Sequence, residues 1–298
     1  MRSLSDLLRV IGYAPNAFAC VLAQTAACRT VAISKRRGGV RTLTIPPPPV
    51  REAQARFARW FLHFAPVPVC VHGGVRRRNV RTLAETHRFA GSMVTFDLRD
   101  AFTQGTIPRV QAVFRRLGFD AEAVKAFTRL CTFGGCLPQG APSSNALWNL
   151  VCADLDAQAL AFAAAHGLVF TRYTDELTFS SRAPSIPPDV RAHAARVIAE
   201  AGFASNARKT RYQESRRGAL IVCGVSIHGG LITLTRAERE RIRAIIHLAA
   251  TRPGIPRAYV EAQVGRVRGL ARDRRGRAGL PKRLREPYER YRRLQTNG

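Results

Sequence analysis

The sequence predicts an α+β fold made of several interlocked subdomains. Three observations carry that expectation. Strand-like and helix-like segments are mixed along the chain without a regular alternation. Two short apolar runs, at 93–98 and 168–180, are interrupted or ended by acids. No internal repeat and no clear linker divides the 298 residues, a length sufficient for one large domain or two to three interlocked subdomains with a real core.

Taken in order, residues 1–30 read as helical, with Ser3 or Ser5 as N-cap before Leu7, Leu8 and Ile11. Residues 31–45 read as two short strands joined by a basic Gly-Gly turn. Pro46 to Pro49 predict a stiff extended connector. Residues 50–64 return to helical spacing, with Phe57, Trp60, Phe61 and Phe64 on one face. Residues 93–98 read as a buried strand, and 108–117 and 121–131 as helices. A single long helix is expected over 143–166, capped by Ser143 or Ser144 and stopped by Gly167. Residues 168–180 read as a hairpin with Thr174, Asp175 and Glu176 at its tip, and 189–201 as a helix. A further hairpin over 219–235 turns at His228-Gly229-Gly230. Thr235 and Glu238 form a capping box for a helix with Ile242, Ile245 and Ile246 on one side and arginines on the other. The Arg-rich segment 266–293, with only Asp273, Glu286 and Glu289 as acids, reads either as a solvated tail or as a basic grip.

Charge is the strongest global signal. The chain carries 48 Lys+Arg against 20 Asp+Glu, a formal net charge of +28. Such a surplus repels itself unless a polyanion neutralises it, and nucleic acid is the usual partner. A membrane surface is the rival. The basic residues are spread over the whole chain rather than along one amphipathic helix, which favours nucleic acid. No apolar run reaches the ~18 residues that span a bilayer. The charged segment Met1–Ile11 is not expected to be a secretory signal, so a cytoplasmic protein without a membrane partner is expected. The seven cysteines form no CxxC pair and no zinc spacing, which predicts reduced thiols.

With so few acids, their positions matter. Asp97 ends an apolar strand, and Asp175 and Glu176 sit at the tip of an apolar hairpin. An acid there is costly unless solvated, paired or bound to a cation. Carboxylates carried to adjacent strand ends can hold two Mg2+ ions, which demand hard oxygen ligands and keep waters and phosphates in their remaining positions. Taken alone, each acid also fits a turn or ion-pair role.

The neighbouring motifs change that balance. FDLRDAF (96–102) resembles motif A of reverse transcriptases, LPQGAPSSNALWNL (137–150) their motif B, and RYTDELTFS (172–180) their motif C, usually Tyr-x-Asp-Asp. NARKT (206–210) is similar to the motif D region and VCGVSI (222–227) to the primer-grip region. SKRRGGVRTLTIPPP (34–48) and VHGGVRRRNVRT (71–82) resemble the fingers segments. Their order over most of the chain resembles the retron-type reverse transcriptases of bacteria.

The resemblance implies a right-hand polymerase with an antiparallel palm sheet. Its units would be fingers and N-terminal helices over 1–90, a palm over 91–225 with a fingers insertion at about 106–136, and a basic thumb and tail over 226–298. Asp97, Asp175 and Glu176 would be catalytic and would ligate two Mg2+ ions, with Mn2+ as a substitute. Phe102 would be the steric gate that selects deoxynucleotides. Lys35 and Arg41 would reach the triphosphate, Gln139, Gly140 and Ala141 would line the nucleotide pocket, and Lys209 would be a general acid near the pyrophosphate. The implied activity is RNA-directed DNA synthesis from dNTPs on a structured noncoding RNA, yielding single-stranded DNA, in antiphage defence with an effector protein. The alternatives are another bacterial defence-associated or group II intron-like reverse transcriptase, or a degenerate RNA-binding polymerase fold. The chain departs from the family in two respects. Glu176 replaces the second Asp, and LAETH (83–87) and VCG (222–224) keep His87 and Gly224 but lack the usual Asn and Thr.

Overall fold

The computed structural model describes residues 2–34, 39–65, 67–251, 255–270 and 280–296. Lys35, most of the basic turn before Gly39, and the side chain of Phe64 lie outside the described residues. In chain order the elements are α1 (Leu4–Ile11), α2 (Pro15–Ala23), β1 (Arg29–Ser34), β2 (Val40–Ile45), α3 (Pro48–Phe64), α4 (Val80–Thr86) and β3 (Ser92–Asp97). Then follow α5 (Ala101–Gln104), α6 (Ile107–Arg116), α7 (Ala121–Cys131), α8 (Ser144–Val151), α9 (Ala153–Ala165), β4 (Val169–Tyr173), β5 (Glu176–Ser181) and α10 (Pro188–Glu200). The chain continues through β6 (Arg211–Glu214), β7 (Leu220–Val222), β8 (Val225–His228), β9 (Leu231–Leu234), α11 (Arg236–Thr251), α12 (Arg257–Leu270) and α13 (Lys282–Thr296).

A four-stranded antiparallel sheet in the order β4-β5-β3-β6 forms the centre. One face of its middle strands is apolar, with Val94, Phe96, Leu177 and Phe179 buried, while the other buries Met93 beside Thr95, Thr178 and Ser180. One face packs on α8 and α9 through Leu147, Trp148, Leu155 and Phe162, and this core continues into the aromatic cluster of Phe57, Phe61, Phe114 and Phe127. The other face meets α4 and a second sheet, β7-β8-β9, through Leu83, Leu220, Val225 and Ile227. The unit boundary expected at 225–226 therefore falls inside a hydrogen-bonded strand, β8.

Four expectations are corrected. Residues 1–30 are not one helix. Gly12, at φ 73, ends α1 by donating its N–H to Leu8 and Arg9 carbonyls, a left-handed cap that glycine takes without strain. Ser3 is the N-cap, accepting from the Asp6 N–H at 3.1 Å. The prolines do not form an extended connector throughout, because Pro48 and Pro49 open α3. A helix's first turn has no use for the N–H that proline lacks. The helix expected over 143–166 breaks at Cys152 (φ −84, ψ 2) into α8 and α9. The break lets Asn149 and Asp156 both reach Arg172 on β4. Finally, 219–235 holds three strands, with an extra two-residue turn at Cys223-Gly224 whose φ values are 46 and 75. Such a turn suits the twist of a hairpin, but a non-glycine residue at its first position gives a weak signal in sequence.

The basic C-terminal segment is not simply a solvated tail. Where described, it forms α12 and α13, whose Val260, Val264, Leu284, Tyr288 and Tyr291 pack on Ile242 and Ile246 of α11. Among the described residues no single helix is long and apolar enough to cross a membrane. The bent pair α1–α2 passes that test jointly, yet its Leu7, Leu8, Ile11, Phe18 and Val21 are buried in the core.

His87 fastens α4 to the central sheet. Its ring is 1% exposed and hydrogen-bonds to Ser180 Oγ and Thr171 Oγ1, each at 2.7 Å. Burial holds its pKa down at about 3, against about 6.5 when unfolded. The folded chain thus refuses a proton that the unfolded chain accepts. Stability from this group is full above about pH 6.5 and is lost progressively as pH falls toward 3, at up to about 1.4 kcal/mol per pH unit. His72, held down at about 4 by burial and by Arg78, adds to the same trend. Urea midpoints measured from pH 7 to 4 should fall, and His87→Gln should flatten that slope while lowering stability at pH 7. An unchanged slope would contradict the neutral buried imidazole.

Candidate active site

The site is built where β3 and the β4–β5 hairpin end together. Asp97 closes β3, directly opposite Glu176 on β5. The next residue, Leu98, donates its N–H to the Asp175 carbonyl at 2.8 Å. Asp175 lies in the two-residue turn between β4 and β5, after Thr174 at φ 55. A β-branched residue in the left-handed region is strained by about 1–2 kcal/mol and persists only where its surroundings over-determine it.

Those surroundings are explicit. The Thr174 carbonyl accepts from Trp148 Nε1 at 2.8 Å and from Arg172 Nη1 at 3.0 Å. Arg172 is fully buried and forks onto Asp156, also fully buried, with both bonds at 2.7 Å. Asn149 Oδ1 accepts from Arg172 at 3.1 Å, and its Nδ2 donates to the Gly73 carbonyl at 2.9 Å. Gly73 lies flat against the turn: a Cβ there would stand 2.4 Å from the Thr174 nitrogen. Only glycine allows that approach. Sequence reasoning does not single out Arg172, Asp156, Asn149, Trp148 or Gly73. The signal that could have found two of them is a charged residue at the centre of an apolar segment, Arg172 in VFTRY and Asp156 in ADLDAQAL.

Burial raises the Asp175 pKa, and the charge of Asp97 raises it further. A buried carboxylate whose ionisation a neighbouring carboxylate opposes favours a divalent ion. Lys209 Nζ supplies part of that charge, 2.7 Å from Asp97 Oδ1. Glu176 behaves differently from its two neighbours. Its Oε1 accepts from the Cys223 backbone N–H at 2.8 Å, and its Oε2 lies 3.6 Å from Arg211 Nη2. Among the described residues no three His, Cys, Asp or Glu side chains gather as a ready-made metal cage. The oxygens of Asp97 and Asp175 nevertheless fit Mg2+, which takes one or two carboxylates and keeps waters and substrate phosphates for the rest.

The other candidates surround this pair. Phe102, half-buried, packs at a tilt against Trp148 with ring centroids 6.0 Å apart. The Gln139 carbonyl accepts from the Thr44 N–H at 2.8 Å. Gly140, at φ 110, lies so close to β2 that a Cβ on it would stand 3.0 Å from the Thr44 carbonyl oxygen. The 137–141 loop is thereby docked on β2. Arg41 is exposed on that same strand, three residues before Thr44, and no bond among the described residues links it to the acids. The structure thus brings Asp97, Asp175 and Lys209 together, with Phe102 one turn of chain away, while Glu176 turns to β6 and to the β7–β8 turn.

No family model matches the chain. Among curated proteins, it is 34% identical over 261 residues to the Retron Mx65 reverse transcriptase of Myxococcus xanthus, covering 81% of this chain and 61% of that one. It is 32% identical over 175 residues to the Retron Ec86 reverse transcriptase of Escherichia coli, covering 59% of this chain and 54% of that one. The chain therefore spans between half and two thirds of the length of these relatives. Among solved structures, telomerase from Candida albicans in complex with a TWJ fragment of telomeric RNA aligns with a TM-score of 0.51 at 8% identity, over 74% of this chain and 50% of that one. That likeness shows a shared fold, consistent with a right-hand polymerase. The similarity to these bacterial enzymes supports a retron-type reverse transcriptase.

Proposed function

We propose that the chain is an RNA-directed DNA polymerase that copies a structured noncoding RNA into single-stranded DNA from dNTPs. The observation that carries this reading is the meeting of Asp97 and Asp175 at one end of the central sheet, beside Phe102 and Lys209. Bound Mg2+, or Mn2+ in its place, would supply Lewis-acid charge for nucleotidyl transfer at the oxygens of these two aspartates. Lys209, which holds Asp97 in the free protein, would give its proton to the leaving pyrophosphate. The half-buried ring of Phe102 would close the nucleotide pocket against a 2′-hydroxyl. Gln139 and Gly140 would present backbone to the incoming nucleotide, with Arg41 reaching its phosphates from β2 and Lys35, on the resemblance alone, assisting. On this reading 1–90, 91–225 and 226–298 serve as fingers, palm and thumb. The protein would act in the cytoplasm, in antiphage defence with an effector protein. Primer extension on a primed RNA template with dNTPs and either metal tests the activity. Failure with both metals would leave a degenerate RNA-binding fold.

RNA would be gripped mainly by charge. Arg236, Arg239 and Arg243 of α11 and Arg283 of α13 line a cavity of about 680 Å3 on the C-terminal helices. Guanidinium groups suit phosphates, and the grooves of an A-form helix favour recognition by backbone and shape. Affinity for a structured RNA should fall about a thousandfold between 50 and 200 mM salt, read by filter binding. A flat salt profile would contradict this grip.

A further inference from the structure

We propose that Glu176 is a positioning residue that clips the Asp175 hairpin to the Cys223-Gly224 turn, and not a metal ligand. This rests on the polymerase reading of Asp97 and Asp175. Glu176 opens β5, paired with Asp97 on one side and Tyr173 on the other. Its carboxylate is committed elsewhere. Oε1 takes the Cys223 N–H at 2.8 Å and the Cys223 thiol at 3.4 Å, and Oε2 faces Arg211 of β6 at 3.6 Å.

The partner explains the commitment. Val222 pairs with Val225 across the turn, so the Cys223 N–H has no place in the strand ladder. A partly buried backbone donor must find another acceptor, and Glu176 is that acceptor. Cys223 is also a non-glycine residue at φ 46, a conformation that needs support from outside the turn. The carboxylate supplies it.

The clip has a consequence for substrate. Cys223 and Gly224 form one wall of a cavity of about 970 Å3. Tyr173 and Arg211 line it beside them, and Arg241 and Arg266 line it from α11 and α12. With Arg81 the lining holds four guanidinium groups against one acid, Glu238, which pairs with Arg241 and Arg266, and that surplus suits a polynucleotide backbone. The Glu176 clip sets how far that wall stands from the reacting acids. Aspartate at this position would end about 1.5 Å short, out of reach of the Cys223 N–H unless strand or turn moved. The extra methylene is therefore what makes the clip.

The test compares wild-type chain with Glu176→Gln, Glu176→Asp and Glu176→Ala. Steady-state primer extension gives separate KM values for primed RNA and dNTP and the half-maximal Mg2+ concentration. Hydrogen exchange of peptides spanning 220–228 reads the Cys223 amide without reference to activity. Glutamine keeps an oxygen acceptor at full reach, so it should raise the KM for primed RNA no more than about threefold and leave exchange slow. Aspartate and alanine should raise that KM about tenfold and speed exchange about tenfold. The dNTP KM and the Mg2+ profile should stay unchanged in all three. A rise in half-maximal Mg2+ in Glu176→Gln with exchange still slow would overturn the proposal and make Glu176 a ligand. Higher activity in Glu176→Asp with unchanged exchange would also overturn it. If no variant and no wild type made DNA, the polymerase reading would fall, and the exchange data would still uphold or overturn the clip.

Discussion

Asp97→Ala and Asp175→Ala are each expected to reduce DNA synthesis by about a thousandfold or more, equivalent to about 4 kcal/mol of lost transition-state stabilisation. RNA binding and thermal stability should hardly change. The two expectations have one cause. Asp175 is raised first by burial and then by Asp97, so it is held at a cost in the free protein that removing Asp97 relieves. Asp97 otherwise contacts Lys209, whose side chain is 60% exposed, and exposed ion pairs contribute little. On the proposed reading neither acid holds the fold together, and both would be needed only when charge must be gathered on a nucleotide. Primer extension and a melting curve on the same samples check this. A melting temperature lowered by several degrees, or loss of RNA binding at moderate salt, would mean that the acids are structural.

The second large effect lies one layer beneath. Removing one member of the Arg172–Asp156 pair, as in Arg172→Met or Asp156→Leu, strands a charge in a fully buried site. That costs about 3–5 kcal/mol, a melting shift of roughly 10 °C for a chain of this size. Replacing both together removes both desolvation penalties, and much of the stability should return. Activity should not return. The Thr174 carbonyl would keep Trp148 but lose Arg172, and the strained turn that presents Asp175 would lose half its support. A double variant as unstable as the singles would contradict the desolvation argument. A double variant with wild-type synthesis would show that Arg172 does nothing for the turn.

These two sites separate what pattern reveals from what it hides. Asp97 and Asp175 are legible because each interrupts an apolar run at a strand end, and because they stand in motifs whose order is recognisable. Arg172 stands at the head of the Tyr-x-Asp motif, yet in sequence it looks like one of many arginines. Its burial is a property of the packing of α8, α9 and β4, which no local window contains. The same holds for Gly73, whose meaning is the 2.4 Å approach to Thr174. It holds too for Glu176, which sequence places with the candidate acids and the structure pairs with Cys223, 47 residues away.

The chain alone determined the class of fold, the basic surplus that calls for a polyanion, most helices and strands, and the proposal that the two aspartates act together. Each follows from short-range periodicity, composition or motif, which are written into neighbouring residues. Tertiary structure decided where α8 gives way to α9, that the described part of the Arg-rich C-terminus packs as helices, and that Glu176 takes the Cys223 amide. Those outcomes depend on which distant groups satisfy a buried donor or charge, a contest settled only when the chain is folded around them.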